Sequence, residues 1–299
     1  MKRQTFGRVV GSATGVVLAL ATAAITLGMH GFGPWSAPVN VGSIPGTSGN
    51  LNTAALEGCP FVAQRGDVLY FASNREDGID LDIYASHRTA DGDWGDPVYF
   101  TEVNTSADEF CPMAHRNGKT FLFISNRAGG EGGADIYATR LHATKGWATP
   151  TNLGPPINSS GDEFSPSLTD TELYFSSTRS GGLGGGDIYV SPFDGATFGA
   201  PVLAPGLNSA VNDFRPNVRR DGLEIFFDSN REGGSGGLDI WTSTRTKTSD
   251  PWSAPTNLSD INSIANDLRA SLSWNGATLY FGSFRAGGQG SMDLYVTTR

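Results

Sequence analysis

The sequence is poor in charged residues, in cysteine and in histidine, and each shortage argues against a class of function. Asp, Glu, Lys and Arg make up only 17% of the 299 residues, the formal net charge is −9, and no basic run follows the first few residues. Proteins that bind nucleic acid or anionic membrane surfaces need clustered Lys and Arg, so neither partner is expected. With four histidines and no evident Ser–His–Asp arrangement, neither a histidine-built metal site nor a catalytic triad is predicted.

Long apolar runs are also scarce, and the main one lies near the N-terminus. Lys2, Arg3 and Arg8 precede an apolar core at residues 16–27, which is the pattern of an export signal. The alternative is an uncleaved membrane anchor, for which residues 11–29 are borderline in length. We therefore assign residues 1–33 to an export signal peptide or N-terminal anchor with a short linker. The protein is expected to be exported, to the periplasm or the medium.

The remainder of the chain is organised by an internal repeat. Residues 173–189 read Leu-Tyr-Phe-Ser-Ser-Thr-Arg-Ser-Gly-Gly-Leu-Gly-Gly-Gly-Asp-Ile-Tyr, which is typical of a buried strand, a glycine-rich turn and a second strand. Similar stretches begin at residues 69, 121, 225 and 279. A fixed period of roughly 50 residues indicates a repeat architecture.

Each repeat predicts four short strands. An aromatic residue and a proline introduce a rim strand, an Asn–acid loop leads into an inner strand, and the stretch described above supplies the other two. Five such units over residues 34–299 predict an all-β fold, a five-bladed β-propeller of four-stranded antiparallel blades. The last repeat lacks its rim strand, so residues 35–41 should join the last blade and close the ring.

The repeat also predicts the core. Aromatic and aliphatic side chains of the second and third strands should be buried between blades, and four repeated tryptophans should pack there too. The predicted core residues are Leu69, Phe71, Phe123, Phe175, Phe227, Phe281, Ile83, Ile136, Ile188, Ile240 and Leu294, and the tryptophans are Trp35, Trp94, Trp147 and Trp252.

Residues 173–189 resemble the TolB-type, WD-like β-propeller repeats of exported bacterial envelope proteins. Residues 152–166 are similar to versions of the repeat found beside peptidoglycan-binding domains. The resemblance covers about residues 35–299 and implies an exported scaffold or binding module. It includes neither an N-terminal TolB domain nor a C-terminal peptidoglycan-binding domain.

Charged residues recur once per repeat, and two interpretations stay open for them. In the first, each repeated arginine pairs inside its own blade, either with the Asp of Asp-Ile-Tyr or with the acid of the preceding loop, because buried charges must be paired. In the second, the charged groups form rings that bind a ligand, a cation or a basic partner. The arginines are Arg75, Arg127, Arg179, Arg231 and Arg285, and the loop acids are Glu57, Glu109, Glu163, Asp213 and Asp267.

Positions that differ between blades are more informative about function. The residue two after each loop acid approaches the channel and is Cys59, Cys111, Ser165, Arg215 or Arg269. We expect either an anion site on the channel wall or ordinary packing and pairing with the acidic ring. The candidate residues of the anion site are Arg215, Arg219, Arg269 and His115.

The two cysteines occupy equivalent positions in adjacent blades. In an exported protein they can oxidise, provided that their Cα atoms lie within about 7 Å. The sequence alone leaves open whether Cys59 and Cys111 form a disulfide.

The glycine turn of the first repeat is rich in acids. Asp77, Asp80 and Asp82 could ligate calcium, but without a full ligand set a solvated acidic turn is favoured, so no cofactor is assigned. Catalytic residues are not assigned either, because Asp170, Asp221 and Asp228 form no recognisable set.

These observations predict a monomeric, non-catalytic binding or scaffold propeller that presents its loop face to an envelope protein or glycan. The alternative is a glycan-active enzyme that uses carboxylates at the channel mouth.

Overall fold

The structure, a computed structural model, describes residues 32–299. All but the last two residues of the predicted signal or anchor therefore lie outside the described residues. Residues Trp35–Arg299 form one compact unit. Within the described part of the chain, no helix has the length and apolar character that a membrane crossing requires.

The unit is a five-bladed, all-β propeller, as the repeat predicts. The first strand, β1, is Val39–Asn40, and two short 3-10 helices, Val41–Ser43 and Gly49–Leu51, follow it. Blade 1 contains β2 Glu57–Val62, β3 Val68–Ser73, β4 Asp82–His87 and β5 Val98–Tyr99. Blade 2 contains β6 Glu109–Ala114, β7 Thr120–Ser125, β8 Asp135–His142, β9 Gly146–Trp147 and β10 Thr151–Asn152. Blade 3 contains β11 Glu163–Leu168, β12 Glu172–Ser177, β13 Asp187–Pro192 and β14 Val202–Leu203. Blade 4 contains β15 Asp213–Val218, β16 Glu224–Ser229, β17 Asp239–Thr244 and β18 Thr256–Asn257. Blade 5 contains β19 Asp267–Leu272, β20 Thr278–Ser283 and β21 Asp293–Thr298, with β1 as its outer strand.

The N-terminal strand closes the ring, which confirms the prediction. Val39 pairs with Val296 and Asn40 with Tyr295 in antiparallel register. The Asn52 side chain accepts a hydrogen bond from the Leu294 backbone N–H at 2.8 Å and donates one to its carbonyl at 3.0 Å. These bonds cover the outer edge of β21, which would otherwise be open to pairing with another chain.

The predicted core residues are buried. All eleven of them, from Leu69 to Leu294, have 0% exposed surface. The tryptophans pack between blades: Trp94 of blade 1 donates its indole N–H to the Tyr280 hydroxyl of blade 5 at 3.3 Å. Trp252 contacts Tyr174 of blade 3, with ring centroids 6.2 Å apart. The apolar surface of each blade is therefore buried by its neighbours, as a closed propeller requires.

The register defines two faces of the ring. The end of each second strand lies beside the start of the inner strand and of the third strand, as for Ser73 with Glu57 and Asp82. The Asn–acid loops and the glycine-rich turns thus emerge together, on what we call the loop face. The turns between first and second strands lie on the opposite face.

Candidate functional site

The repeated acids of the loop face are internal to each blade. In blade 3, Glu163 accepts hydrogen bonds from the backbone N–H of Ser159 at 2.9 Å, from its hydroxyl at 2.6 Å and from the Ser177 hydroxyl at 2.7 Å. The Arg179 guanidinium lies 3.1 Å from the same carboxylate. The Asp of Asp-Ile-Tyr binds the glycine-rich turn instead of the arginine. In blade 3, Asp187 accepts hydrogen bonds from the backbone N–H groups of Leu183 and Gly184.

The ion pair is common to all five repeats: each repeated arginine pairs with the loop acid of its own blade. The five acids are 0% exposed. This geometry favours the structural interpretation of the acidic ring over binding of a cation or a basic partner. The pairs are Arg75–Glu57 at 3.2 Å, Arg127–Glu109 at 2.9 Å, Arg179–Glu163 at 3.1 Å, Arg231–Asp213, and Arg285–Asp267 at 2.6 Å.

A ring of five backbone irregularities lines the central channel. In every blade the pairing of the first two strands shifts register two residues after the loop acid, which marks a β-bulge. The bulge residue has positive φ, between 46° and 62°, which is unusual for residues other than glycine. These residues, which we call the bulge ring, are Cys59, Cys111, Ser165, Arg215 and Arg269. All five line the same space of about 30 Å³.

The bulge geometry brings the two cysteines together. Cys59 and Cys111 form a disulfide, with Cα atoms 4.7 Å apart. The adjacent inner strands are thus closer at this level than the limit of about 7 Å for a disulfide. Two of the five positions in the ring are joined covalently.

Blades 4 and 5 place a charged cluster on the same ring. Asp228, on the second strand of blade 4, is fully buried. Its carboxylate accepts the backbone N–H of Arg269 at 2.9 Å and lies 3.3 Å from Nη1 of Arg215. Burial raises the pKa of Asp228 to about 7, although Arg215 and the Arg269 N–H act in the opposite direction. Burial and the nearby Arg215 lower the pKa of Arg269.

Sequence reasoning did not identify Asp228 as a partner of these arginines. The positions equivalent to Asp228 are Ala72, Ile124, Ser176 and Gly282, which all pair with the residue after the Asp of Asp-Ile-Tyr or its equivalent. The sequence signal that could have identified Asp228 is a carboxylate at a repeated position that holds small or apolar residues in the other four blades.

Two members of the predicted anion site lie elsewhere. The Arg219 guanidinium is bonded to Asp221 at 2.8 Å and to Glu224 at 3.0 Å, so its charge is already matched. His115 lines a cavity on the opposite face, between blades 1 and 2, rather than the space beside Arg215 and Arg269. The expectation that all four residues share one site is therefore corrected to Arg215 and Arg269.

The weak calcium candidates are not assembled as ligands. Asp77 accepts the backbone N–H groups of Ile79 and Asp80, and Asp82 accepts the Tyr99 hydroxyl at 3.2 Å. Within residues 32–299 no group of three or more His, Cys, Asp or Glu side chains is arranged to hold a metal ion. Burial raises the pKa of Asp82 to about 6, and the neighbouring acids Glu109, Asp77 and Asp80 act in the same direction.

The loop face also carries exposed apolar side chains, which the sequence analysis did not single out. Ile264 is 93% exposed, Ile79 77% and Leu183 61%. Val211 and Phe284 are also exposed. Val211 lies beside Gly184, the residue after Leu183. Phe284 donates its backbone N–H to the carbonyl of Asn266, in the loop that contains Ile264. Apolar residues inside otherwise polar loops were the signal that could have shown them.

The raised pKa of Asp228 predicts how stability depends on pH. Between about pH 4 and pH 7 the folded protein keeps a proton that the unfolded chain has lost, so the free energy of unfolding should fall as the pH rises through this window. Asp228→Asn removes that titration. Urea unfolding from pH 4 to 8 should show a smaller decline for the variant than for the parent. Because Asp82 titrates in both proteins, the difference between the two profiles isolates Asp228, and parallel profiles would contradict the assignment.

Comparisons with known proteins support the fold only. No protein-family model matches the chain. No curated protein matches it either. Among solved structures, a GH43 endo-arabinanase from Bacillus licheniformis is 16% identical, with a TM-score of 0.56 over 84% of this chain and 94% of its own. An α-L-arabinofuranosidase from Lactobacillus brevis is 12% identical, with a TM-score of 0.53 over 84% of this chain and 93% of its own.

TolB from Acinetobacter baumannii is also similar, at 16% identity and a TM-score of 0.47 over 80% of this chain. This chain spans only 54% of the length of that protein. The neighbours thus include a TolB protein and glycoside hydrolases. The two glycoside hydrolases share the β-propeller fold with this chain, and a shared fold does not show a shared function.

Proposed function

We propose that this protein is an exported, non-catalytic binding propeller. Its loop face docks a segment of an envelope protein that carries Lys or Arg beside apolar side chains. The observation that carries the proposal is the combination of exposed apolar residues and unbalanced negative charge on that one face.

The apolar component is distributed around the ring. Leu183 and Val211 lie on adjoining segments of blades 3 and 4, Ile264 and Phe284 lie on blade 5, and Ile79 lies on blade 1. Apolar residues that are exposed singly are ordinary, so the proposal is supported by the two neighbouring pairs, Leu183 with Val211 and Ile264 with Phe284. Apolar residues on rigidly held loops also suit recognition, since loops carry function on rigid scaffolds.

The charge of the loop face supports a partner that carries positive charge. The segments of the loop face contain only the five repeated arginines as cations, and each is bonded to its loop acid. Nine acids of the segments that connect the strands there lie outside those pairs and are at least partly exposed. They are Glu76, Asp77, Asp80, Glu102, Asp108, Glu131, Asp162, Glu232 and Asp260. Such a surface attracts cationic partners and repels anionic ones.

The channel wall supports a binding role. A glycosidase needs two carboxyl groups roughly 5 to 10 Å apart on either side of the bond that is cleaved. The bulge ring of the described chain presents a disulfide, one serine and two arginines. Asp228 is the carboxylate beside it, and it is already engaged by Arg215 and by the Arg269 backbone.

One observation favours the rival function, a glycan-active enzyme. A carboxyl with a pKa of about 7 is protonated often enough at neutral pH to serve as a general acid, and Asp228 has that property. Solved glycoside hydrolases share the fold. Hydrolysis of polysaccharides is therefore measured alongside partner binding.

The test is capture of a partner with matched surface variants. The purified protein is immobilised and incubated with envelope extract from its source cell, and a captured protein is purified and titrated calorimetrically. Leu183→Arg/Ile264→Arg alters the loop face. Val98→Arg/Val202→Arg places the same two charges on the outer strands, where the native side chains are also exposed, at 59% and 57%. In parallel, polysaccharides are incubated with the parent and with Asp228→Asn, and released reducing sugar is measured.

The proposal expects at least tenfold weaker binding by the loop-face variant, no more than twofold change in the outer-strand variant, and weaker binding at higher salt. Equal loss in both variants, or binding that salt does not weaken, would contradict it. Sugar release that Asp228→Asn abolishes would replace it with the enzyme hypothesis.

A further inference from the structure

The bulge ring contains more positive charge than its protein partners neutralise. Arg215 and Arg269 both line the channel there, and Asp228 is the carboxylate that contacts them. Its oxygens are bonded to the Arg215 side chain but only to the backbone of Arg269. Within residues 32–299 the Arg269 guanidinium has no carboxylate as an ion-pair partner.

The hydrogen-bond donors of this cluster are also incompletely used. Nε and Nη1 of Arg269 and the hydroxyl of Ser271 are buried and have no hydrogen-bond partner among the described residues. Nη1 is packed so closely on Gly58 of blade 1 that an added Cβ there would lie 2.7 Å from it. Nε and Nη1 are thus removed from water without an acceptor, and a cation that is removed from water without a counter-charge is costly.

We propose that the channel binds one small monovalent anion, of the size of chloride, beside Arg269 and Arg215. The anion supplies the negative charge that the cluster lacks. The space at this level is about 30 Å³, which accommodates one or two particles the size of a water molecule. Chloride and bromide are monatomic anions, and they are the probes chosen for this space.

The asymmetry of the ring gives the site its position. The equivalent positions in blades 1, 2 and 3 are Cys59, Cys111 and Ser165. All three are uncharged, since the cysteines form a disulfide and serine carries a neutral hydroxyl. Blades 4 and 5 thus supply the cations and the other three blades an uncharged wall. The anion would lie where blade 5 meets blade 1, so its binding should stabilise the closed ring by linkage.

The experiment measures chloride binding in solution and bromide binding in crystals. Chloride-35 NMR line widths are recorded against protein concentration, and thermal unfolding is followed in sodium chloride and in sodium gluconate at equal ionic strength. Crystals soaked in sodium bromide are measured at the bromine absorption edge. The variants are Arg269→Met and Arg215→Met, with Arg220→Met as the control, because Arg220 is a cation that lies over Trp274 outside the bulge ring.

The proposal expects excess line broadening, a higher melting temperature in chloride than in gluconate, and an anomalous peak beside Arg269. Arg269→Met should weaken the apparent affinity at least tenfold, and Arg220→Met by no more than twofold. Identical melting in both salts with no excess broadening would overturn the proposal. So would broadening that persists unchanged in Arg269→Met and Arg215→Met. Because Arg215→Met keeps Arg269 in place, a folding failure of one variant still leaves the other as a test.

Discussion

Replacing Glu163 with alanine is expected to lower the free energy of unfolding by about 3–5 kcal/mol, the usual result of breaking a buried ion pair. Glu163 is 0% exposed, and its carboxylate accepts hydrogen bonds from Ser159, Ser177 and Arg179. Alanine would leave the Ser159 and Ser177 donors without this acceptor, while Arg179 would keep only neutral acceptors such as the Ile157 carbonyl. The Arg179 guanidinium, which is held over the Phe175 and Tyr189 rings, would become an uncompensated charge.

Burial raises the pKa of Glu163, while the two serines and Arg179 act to lower it. The desolvation cost is therefore real, and the attraction to Arg179 offsets only part of it. Glu163→Leu/Arg179→Leu should consequently destabilise less than the sum of the two single changes, because neither variant side chain leaves a buried charge behind.

An exposed ion pair between blade 3 and blade 2 provides the control. Asp170 pairs with Arg116, and both side chains are nearly half exposed. Asp170→Ala should change stability by no more than about 1 kcal/mol, since surface pairs contribute little. Urea unfolding at pH 7 measures all of these variants. Equal costs for Glu163→Ala and Asp170→Ala would contradict the structural role of the acidic ring.

Phe175→Ala is the second change with a large expected effect, a loss of about 3–5 kcal/mol. Phe175 is 0% exposed and packs in the cluster that includes Leu173, Ile136 and Tyr189. Its ring stacks on Tyr189 with centroids 6.1 Å apart. Removing it loses buried apolar area and leaves a cavity that neighbouring blades, held in register by their own sheets, cannot collapse to fill.

Thermal unfolding should show this loss as a decrease of about 10 °C in melting temperature. Phe284→Ala is the matched control, because that ring is 41% exposed and its removal should change stability by less than about 0.5 kcal/mol. A near-neutral result for Phe175→Ala would contradict its place in the core. Since Phe175 and Glu163 both act on Arg179, their effects should not be additive.

The period of the sequence was sufficient to predict the blades. Each repeat carries its own turn residues and its own alternation of buried and exposed positions, so local chemistry specifies every four-stranded unit. The closing strand followed from the same count, because Val39 and Asn40 supply the outer strand that blade 5 lacks. The sequence could also restrict the partner of Arg179 to two acids, but only the structure showed that it is Glu163 and that Asp187 binds the turn instead.

The sequence predicted part of the lining of the channel. From their position in the repeat, Arg215 and Arg269 were correctly predicted to line the channel, because equivalent residues of a closed ring face one axis. It misplaced Arg219 and His115, since spacing along a strand does not reveal which neighbour matches a charge. For Arg219 that neighbour is Asp221 in the same hairpin, together with Glu224.

The sequence by itself determined the architecture, the core and the identity of the residues around the channel, because those follow from a period and from alternation within single blades. Tertiary structure decided which charges are matched, that Cys59 and Cys111 are close enough to bond, and that Asp228 joins Arg215 and Arg269. Many of these contacts join different strands or different blades: Arg215 and Asp228 are 13 residues apart in the sequence, and the two cysteines are 52 apart. The distances between these groups depend on how the ring closes and on the position of the bulge in each inner strand. Neither feature can be predicted from a local pattern in the sequence.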